Sequence, residues 1–259
     1  MGEKQRVLIT VMTYPTPSTK SREVVCTAGI TADGSWVRLY PIDYRYLPPT
    51  QRFHKFQWIE LQLGPRGSGN DKRRESRLPD LTTLEVGAAL KGWPEKRAFV
   101  DKCKVSTLNE LKAQYDIDGT SLGMVKPSHV VDLHIEPQNE DWSPTQQASL
   151  AQLGFFDVPT KPLKRIPFKF SYEFRCVDSD KTHNAMCEDW ELGALYLKEV
   201  ERLGDPTRAA QSVRKKFLDE LCGPKRDTHF FMGTVFPYNT WVVIGVWWPP
   251  RQHQPSLFG

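Results

Sequence analysis

Nine consecutive residues, 168–176, alternate without a fault between apolar side chains (Phe168, Phe170, Tyr172, Phe174, Cys176) and polar ones (Lys169, Ser171, Glu173, Arg175). Successive side chains of a β-strand point to opposite faces, so this segment reads as a strand with one buried and one wet face. Two helices are expected after it. The first carries Met186, Trp190, Ala194 and Leu197 at three- and four-residue spacing and ends at Gly204. The second opens with Asp205 as N-cap and Pro206 behind it, sets Ala210, Val213, Phe217 and Leu221 on one face, and stops at Gly223-Pro224. A hairpin then closes the body, from 229–236 through Pro-Tyr-Asn-Thr to 241–248.

The amino-terminal third is also β-structure. Residues 7–12, 23–31, 36–40 and 56–63 read as strands, with Asp33-Gly34 as a tight turn. They predict a small antiparallel sheet or partial barrel. Residues 64–77 are polar and glycine-rich and form a loop. A capping box at Thr107 and Glu110 opens a short helix that stops by Asp118-Gly119. A strand over 129–135 follows, then a helix from Ser143-Pro144 to Gly154. Strands in runs with helices grouped between them indicate the α+β class rather than alternating βαβ units. The expected organisation is one composite domain over 1–250, with a sub-boundary near 64–80 or 160, and a flexible C-terminal peptide over 251–259.

With 39% hydrophobic and 25% charged residues among 259, the chain has an ordinary globular composition, which excludes a mainly disordered protein. Its apolar runs are strand-sized, so no membrane association is expected. The start runs directly into a strand without a signal core. Five cysteines, with no Cys-x-x-Cys pair, fit reduced thiols and a cytoplasmic chain rather than a disulfide framework or zinc ribbon. Walker, Rossmann, Gly-x-Ser-x-Gly and His-Glu-x-x-His patterns are absent.

The net charge of +4 understates three basic groups. The loop carries Arg66, Lys72, Arg73, Arg74 and Arg77. Lys161, Lys164, Arg165 and Lys169 lead into the long strand. Arg208, Arg214, Lys215, Lys216, Lys225 and Arg226 lie on the last helix and its exit. Cations on loops or one helix face suit backbone phosphates, because affinity comes from displaced counterions; solvated surface charge is the plainer reading. The nucleic-acid candidates are Arg66, Lys72, Arg73, Arg74, Arg77, Arg214, Lys215, Lys225 and Arg226. Among Trp241, Trp247 and Trp248 of the final hairpin, the adjacent pair points to opposite faces, which offers one ring for stacking on an unpaired base.

Reactive side chains gather at Cys176, His183, Cys187, Glu188, Asp189 and Glu191. His183 with Asp189 and Glu191 would bind a divalent metal for phosphodiester hydrolysis, or serve as base and orienter. The structural alternative puts Cys176 in the core, with Glu188 and Asp189 offsetting a helix dipole. His229 is a second candidate base.

After Pro249-Pro250 the sequence ends Arg-Gln-His-Gln-Pro-Ser-Leu-Phe-Gly. The stretch Gln254-Pro255-Ser256-Leu257-Phe258 resembles the Gln-x-Ser-Leu-Phe peptide by which bacterial DNA polymerases and mismatch-repair proteins dock on the β sliding clamp. The resemblance implies that Gln254 is a polar anchor beside Ser256, and that Leu257 and Phe258 fill an apolar pocket. Pro255 departs from the usual aliphatic residue. It covers five residues and implies a bacterial or phage DNA-associated protein, in repair or defence, whose body binds DNA and is a nuclease candidate. Two other readings stand beside it: a non-catalytic reader of modified or single-stranded nucleic acid, and a small-molecule or nucleotide enzyme whose tail packs on its own body.

Overall fold

The computed structural model describes residues 3–18, 23–66, 71–151, 161–235 and 239–252. Residues 7–12, in strand β1 (Glu3–Met12), are apolar apart from Thr10 and buried throughout. A strand covered on both faces needs no alternation, and β1 is one of the four inner strands of a six-stranded sheet. Next come a two-strand ribbon, β2 (Thr16–Pro17) with β3 (Glu23–Val24), and then β4 (Thr27–Ile30) and β5 (Trp36–Leu39). β4 and β5 are antiparallel partners, and Gly34 between them adopts φ +88°. β6 (Gln57–Leu63), β7 (Ser76–Arg77) and β8 (Pro79–Ala89) complete the order β7-β5-β4-β1-β6-β8. On one face Val7, Ile9, Leu39 and Leu61 pack with Ile42, Tyr44 and Phe53 from the β5–β6 connection.

The remainder runs α1 (Gly92–Val100), β9 (Val105–Ser106), α2 (Leu108–Asp118), β10 (Leu122–Val125), β11 (His129–Pro137), α3 (Pro144–Leu150), β12 (Phe168–Cys176) and β13 (Ser179–Met186). α4 (Trp190–Leu203), α5 (Pro206–Arg214), β14 (His229–Val235) and β15 (Thr240–Trp247) follow. A four-stranded sheet, β15-β14-β10-β9, lays Leu122, Met124, Phe231 and Ile244 on Leu8, Val11, Ile30 and Trp58 of the first sheet. Its other face turns Val125, Phe230, Met232 and Val243 towards Phe170, Tyr172 and Phe174 of the β11-β12-β13 sheet, and towards Leu192, Tyr196, Ala210 and Val213 of the helices. The α+β class is therefore the observed one, built from open sheets, and the final hairpin is present as β14 and β15.

The long alternating strand is β12, with Phe170, Tyr172, Phe174 and Cys176 all buried. The expected capping box at Thr107 with Glu110 is formed, and Ser143 at the start of α3 makes a second one with Gln146. Asp205 accepts from the N–H groups of Thr207 and Arg208, as an N-cap should. Beyond Arg214 the helix widens into a π-helical turn, Lys215–Glu220.

Three expectations change. The single strand over 23–31 is two short ones, β3 and β4. The helix expected from Met186 starts only at Trp190, because Met186 belongs to β13 and the next two residues make sheet contacts. Cys187 N–H donates to the Phe170 carbonyl and Glu188 N–H to that of Val243, both at 2.8 Å. Asp189 is thus the N-cap and Glu188 lies outside the helix. Finally, the stretch read as a loop over 64–77 ends in strand β7, which pairs with β5, and β8, α1, β9, β10 and β13 were not expected; β8 is a largely exposed strand broken by register shifts, so it carries little periodicity. Gly154 and residues 253–259, including Gln254, Ser256, Leu257 and Phe258, lie outside the described residues.

Asp189 is 1% exposed and ties three parts of the fold together. Its carboxylate accepts from Lys55 Nζ at 2.5 Å, from the Glu191 N–H at 2.9 Å and from the Val246 N–H at 3.2 Å. Removing one partner of a buried ion pair strands the other charge. Lys55→Met is expected to lower stability by about 3–5 kcal/mol, read as a lower denaturant midpoint at unchanged m-value.

Candidate nucleic-acid interface

A groove of about 550 Å³ runs between the β5–β7 edge of the six-stranded sheet and the α2–β10 unit. Its wall on the sheet side carries Arg66, Arg74 and Arg77, and Lys104 enters just before β9. Trp36 and Leu122 supply apolar surface, and α2 contributes Gln114 and Ile117, the latter 76% exposed.

Local sequence explains the geometry. Gly123 of β10 faces Leu111 of α2 so closely that a Cβ there would lie 2.5 Å from a Leu111 methyl, which holds the helix tight against the sheet. Thr107 fixes the helix start, its Oγ1 accepting from the Glu110 N–H at 3.2 Å while Glu110 accepts from the Thr107 N–H at 2.8 Å. Gly119, at φ +73°, closes the helix in the left-handed region that glycine adopts without strain.

Beneath the groove lies a buried polar network. Arg38 is 2% exposed, and its Nη2 donates to the Ser121 carbonyl at 2.9 Å and to Ser121 Oγ at 3.2 Å. Ser121 in turn donates to Glu75 through its hydroxyl at 2.6 Å and its N–H at 3.0 Å. Burial, reinforced by the neighbouring Arg73 charge, lowers the Arg38 pKa to about 10. Arg73 grips Asp71 through Nη2 at 2.6 Å and Nε at 2.9 Å, and also donates to the Thr234 carbonyl. Burial alone would raise the Asp71 carboxyl, but the hydrogen bonds and charge of Arg73 outweigh it and hold the group below its ordinary range.

These bonds set the charge that the groove presents. Its two acidic side chains face inward tasks, Glu75 on Ser121 and Glu110 on the helix cap. Arg74 is 44% exposed and pairs with Asp118. Arg66 and Lys104 are exposed and have no ion pair with a described residue. The surface is therefore cationic with an aromatic and aliphatic floor, the combination that accommodates a phosphate backbone.

Of the loop cations expected from sequence, the structure brings Arg66, Arg74 and Arg77 together here, with Lys72 exposed on the same loop. Arg73 is buried and held by Asp71, so it positions the loop instead of facing a ligand. The other group lies elsewhere. Arg214 pairs with Asp132 at 2.6 Å, the Arg226 guanidinium stacks on Trp248 at 4.9 Å, and Lys215 and Lys225 are exposed. None of the four lines the groove. Lys104, Trp36 and Gln114 were not anticipated, because they join the loop only through the packing of α2.

The expected His183–Asp189 pair is not assembled. His183 stands opposite Phe174 in the β12–β13 ladder, its ring 5.4 Å from that of Phe174. Burial, and then the Lys112 charge, lower its pKa, while Asp178 is the carboxylate acting on it. Asp189 is committed to Lys55 and two backbone groups, and Glu191 also meets Lys55, at 3.2 Å. Among the described residues, no three His, Cys, Asp or Glu side chains are grouped to hold a metal ion. His229 is buried, with burial lowering its pKa, and its Nδ1 lies 3.0 Å from the Asp227 carbonyl. Trp241 and Trp247 are core residues at 7% and 1% exposure, and the half-buried Trp248 packs edge-on against Trp93 with the Arg226 guanidinium over its ring. No helix among the described residues is long and apolar enough to cross a membrane.

Residues 104–259 match the family model described as Domain of unknown function (DUF8757), and residues 3–102 match Domain of unknown function (DUF8758). No curated protein matches the sequence. A solved structure described as a murine DNA-binding protein bound with double-stranded DNA is similar over 98% of each chain, at 8% identity and a TM-score of 0.30, too low to establish a shared fold.

Because Asp71 is held ionised by Arg73, the loop's anchorage is present above the ordinary carboxylate pKa of about 4 and is lost as pH falls through the lower folded value. Asp71→Asn is expected to reduce stability at neutral pH. It should also make the loss between about pH 5 and pH 2 shallower than in the parent chain, measured by urea unfolding across that range.

Proposed function

With more than half of its length matched by one family model, this chain belongs to the DUF8757 family, and we propose that it is a DNA-binding protein that holds the phosphate backbone in the α2–β7 groove. One observation carries the reading: Arg66, Arg74, Arg77 and Lys104 line a single groove whose two carboxylates are engaged in internal hydrogen bonds. Cations so arranged attract polyanions, and the binding free energy comes largely from counterions released from DNA. Hydrolysis at His183 is not part of this reading, since Asp189 supports Lys55 and two backbone groups instead of orienting the imidazole.

The finer reading is recruitment to the bacterial β sliding clamp. It is supported by the sequence Gln254-Pro255-Ser256-Leu257-Phe258 beyond the paired prolines. An extended peptide docking its apolar side chains in a pocket is an established binding mode. In this reading the tail brings the chain to replicating DNA and the groove holds it there.

Each element has its own test. In Arg66→Ala/Lys104→Ala, the slope of log affinity for duplex DNA against log salt should fall by about 2, at about 0.9 per lost phosphate contact, with the thermal midpoint unchanged. A parent chain whose DNA affinity is indifferent to salt contradicts the groove. Leu257→Ala/Phe258→Ala should abolish binding to purified bacterial β clamp without changing the affinity for DNA. Clamp binding that survives the double substitution contradicts recruitment.

A further inference from the structure

A second cavity, of about 270 Å³, opens between the β1–β2 connection, the segment around Trp142, and the start of α4. Its walls are aromatic, with Tyr14, Trp142, Phe168 and Phe170 all lining it. Tyr14 is fixed in place. Its hydroxyl donates to the Lys164 carbonyl at 2.7 Å, and its ring lies so close to Gly193 of α4 that a side chain there would collide with it. Trp142 is anchored likewise, its Nε1 donating to the Leu163 carbonyl at 3.0 Å, with the Arg165 guanidinium over its ring at 5.5 Å.

Two carboxylates belong to the lining, and their situations differ. Asp189 is neutralised by Lys55. Glu188 has no hydrogen bond or ion pair through its carboxyl among the described residues, although its backbone is fixed on both sides by Tyr14 and Val243. Burial pushes the Glu188 carboxyl above its ordinary pKa, with no cation opposing the shift. The residue is half-buried in the lining, so its carboxyl, unclaimed by the described residues, is free to accept from or donate to a ligand in the cavity. At the rim, Arg165 and Lys169 line the opening, and Lys161 and Lys164 stand exposed on the same segment. These are the basic residues that lead into β12, and the groove does not use them.

We propose that this cavity is a binding site for a single unpaired nucleobase bearing an exocyclic amino group. The aromatic side chains would enclose the planar ring, the Glu188 carboxyl would pair with its amino edge, and the rim cations would meet the adjoining phosphate. The volume falls just below the roughly 300–1,000 Å³ of sites for drug-sized ligands, in keeping with one base. Stacking is indifferent to sequence, whereas a carboxyl on the amino edge separates cytosine, adenine and guanine from thymine. The base could come from a free nucleotide or from a nucleotide turned out of a DNA strand. The proposal extends the DNA-binding reading but stands on separate residues.

Titration of the intrinsic tryptophan fluorescence with dCMP, dAMP, dGMP and dTMP tests it, alongside duplexes containing one unpaired cytosine or one unpaired thymine. Binding of an amino-bearing nucleotide at least tenfold tighter than dTMP is expected. Glu188→Leu should remove that preference, and Trp142→Ala should weaken all four nucleotides by at least tenfold. Melting curves on both variants verify that they fold. Preference for the unpaired cytosine duplex, without mononucleotide binding, assigns the site to a base within DNA; mononucleotide binding alone assigns it to free nucleotides. Arg66→Ala/Lys104→Ala should leave the base preference intact, which separates this site from the groove. A folded parent chain that shows neither nucleotide binding nor any difference between the two duplexes overturns the proposal, even if its DNA affinity depends on salt. An unchanged preference in folded Glu188→Leu overturns it as well.

Discussion

Arg38 is the interaction on which the arrangement of this molecule turns. A guanidinium at 2% exposure is costly unless its donors are met, and Arg38 meets part of that cost across two sheets through Nη2, while its Nε is buried without a partner among the described residues. It sits in β5 of the six-stranded sheet and donates to Ser121, at the entrance to β10 of the four-stranded sheet. Ser121 then binds Glu75, whose carbonyl accepts from the Arg38 N–H at 2.9 Å, so the circuit closes on itself. With Arg73 and Asp71 beside it, this network fixes the β7 loop against α2. The network holds the two walls of the groove in register, and its cationic character comes from four lining cations, Arg66, Arg74, Arg77 and Lys104, against two lining carboxylates, Glu75 and Glu110.

A second buried pair, Lys55 with Asp189, plays the corresponding part beneath the aromatic cavity. It joins the β5–β6 connection of the first sheet to the N-terminus of α4 and to the Val246 N–H of β15. Its directional bonds set where Glu188, one residue earlier, enters the cavity lining. Both cavities thus follow one plan, in which apolar sheet packing supplies the bulk of the core and a buried charge pair fixes the register at the seam.

The parts of this structure legible in sequence are those whose causes are local. The alternation in β12, the capping box at Thr107, the N-caps at Ser143 and Asp205 and the turn at Gly34 each need only a few neighbouring residues, and each is present. The start of α4 was misread because the apolar spacing from Met186 continues through residues whose backbone is claimed by β12 and β15. β8 and α1 went unseen because an exposed, bulged strand carries little periodicity. The candidate site divides the same way. A cluster of loop cations is visible in sequence, but which of them is buried against a carboxylate is not, so Arg73 was grouped with Arg66. Trp36, Lys104 and Gln114 lie up to eight tens of residues apart in the chain, and only the packing of Gly123 on Leu111 brings their elements together. His183 and Asp189 show the converse, since six positions of separation say nothing about contact when a strand ends between them.

Amide hydrogen exchange, followed along the chain with and without a short DNA duplex at low salt, tests the central claim most directly. Protection confined to residues 35–36, 66, 74–77, 104–106 and 110–123 is the predicted result, because these positions form the walls and floor of the groove. Unchanged exchange in those segments while bound DNA protects the α5 exit or another face would contradict the assignment.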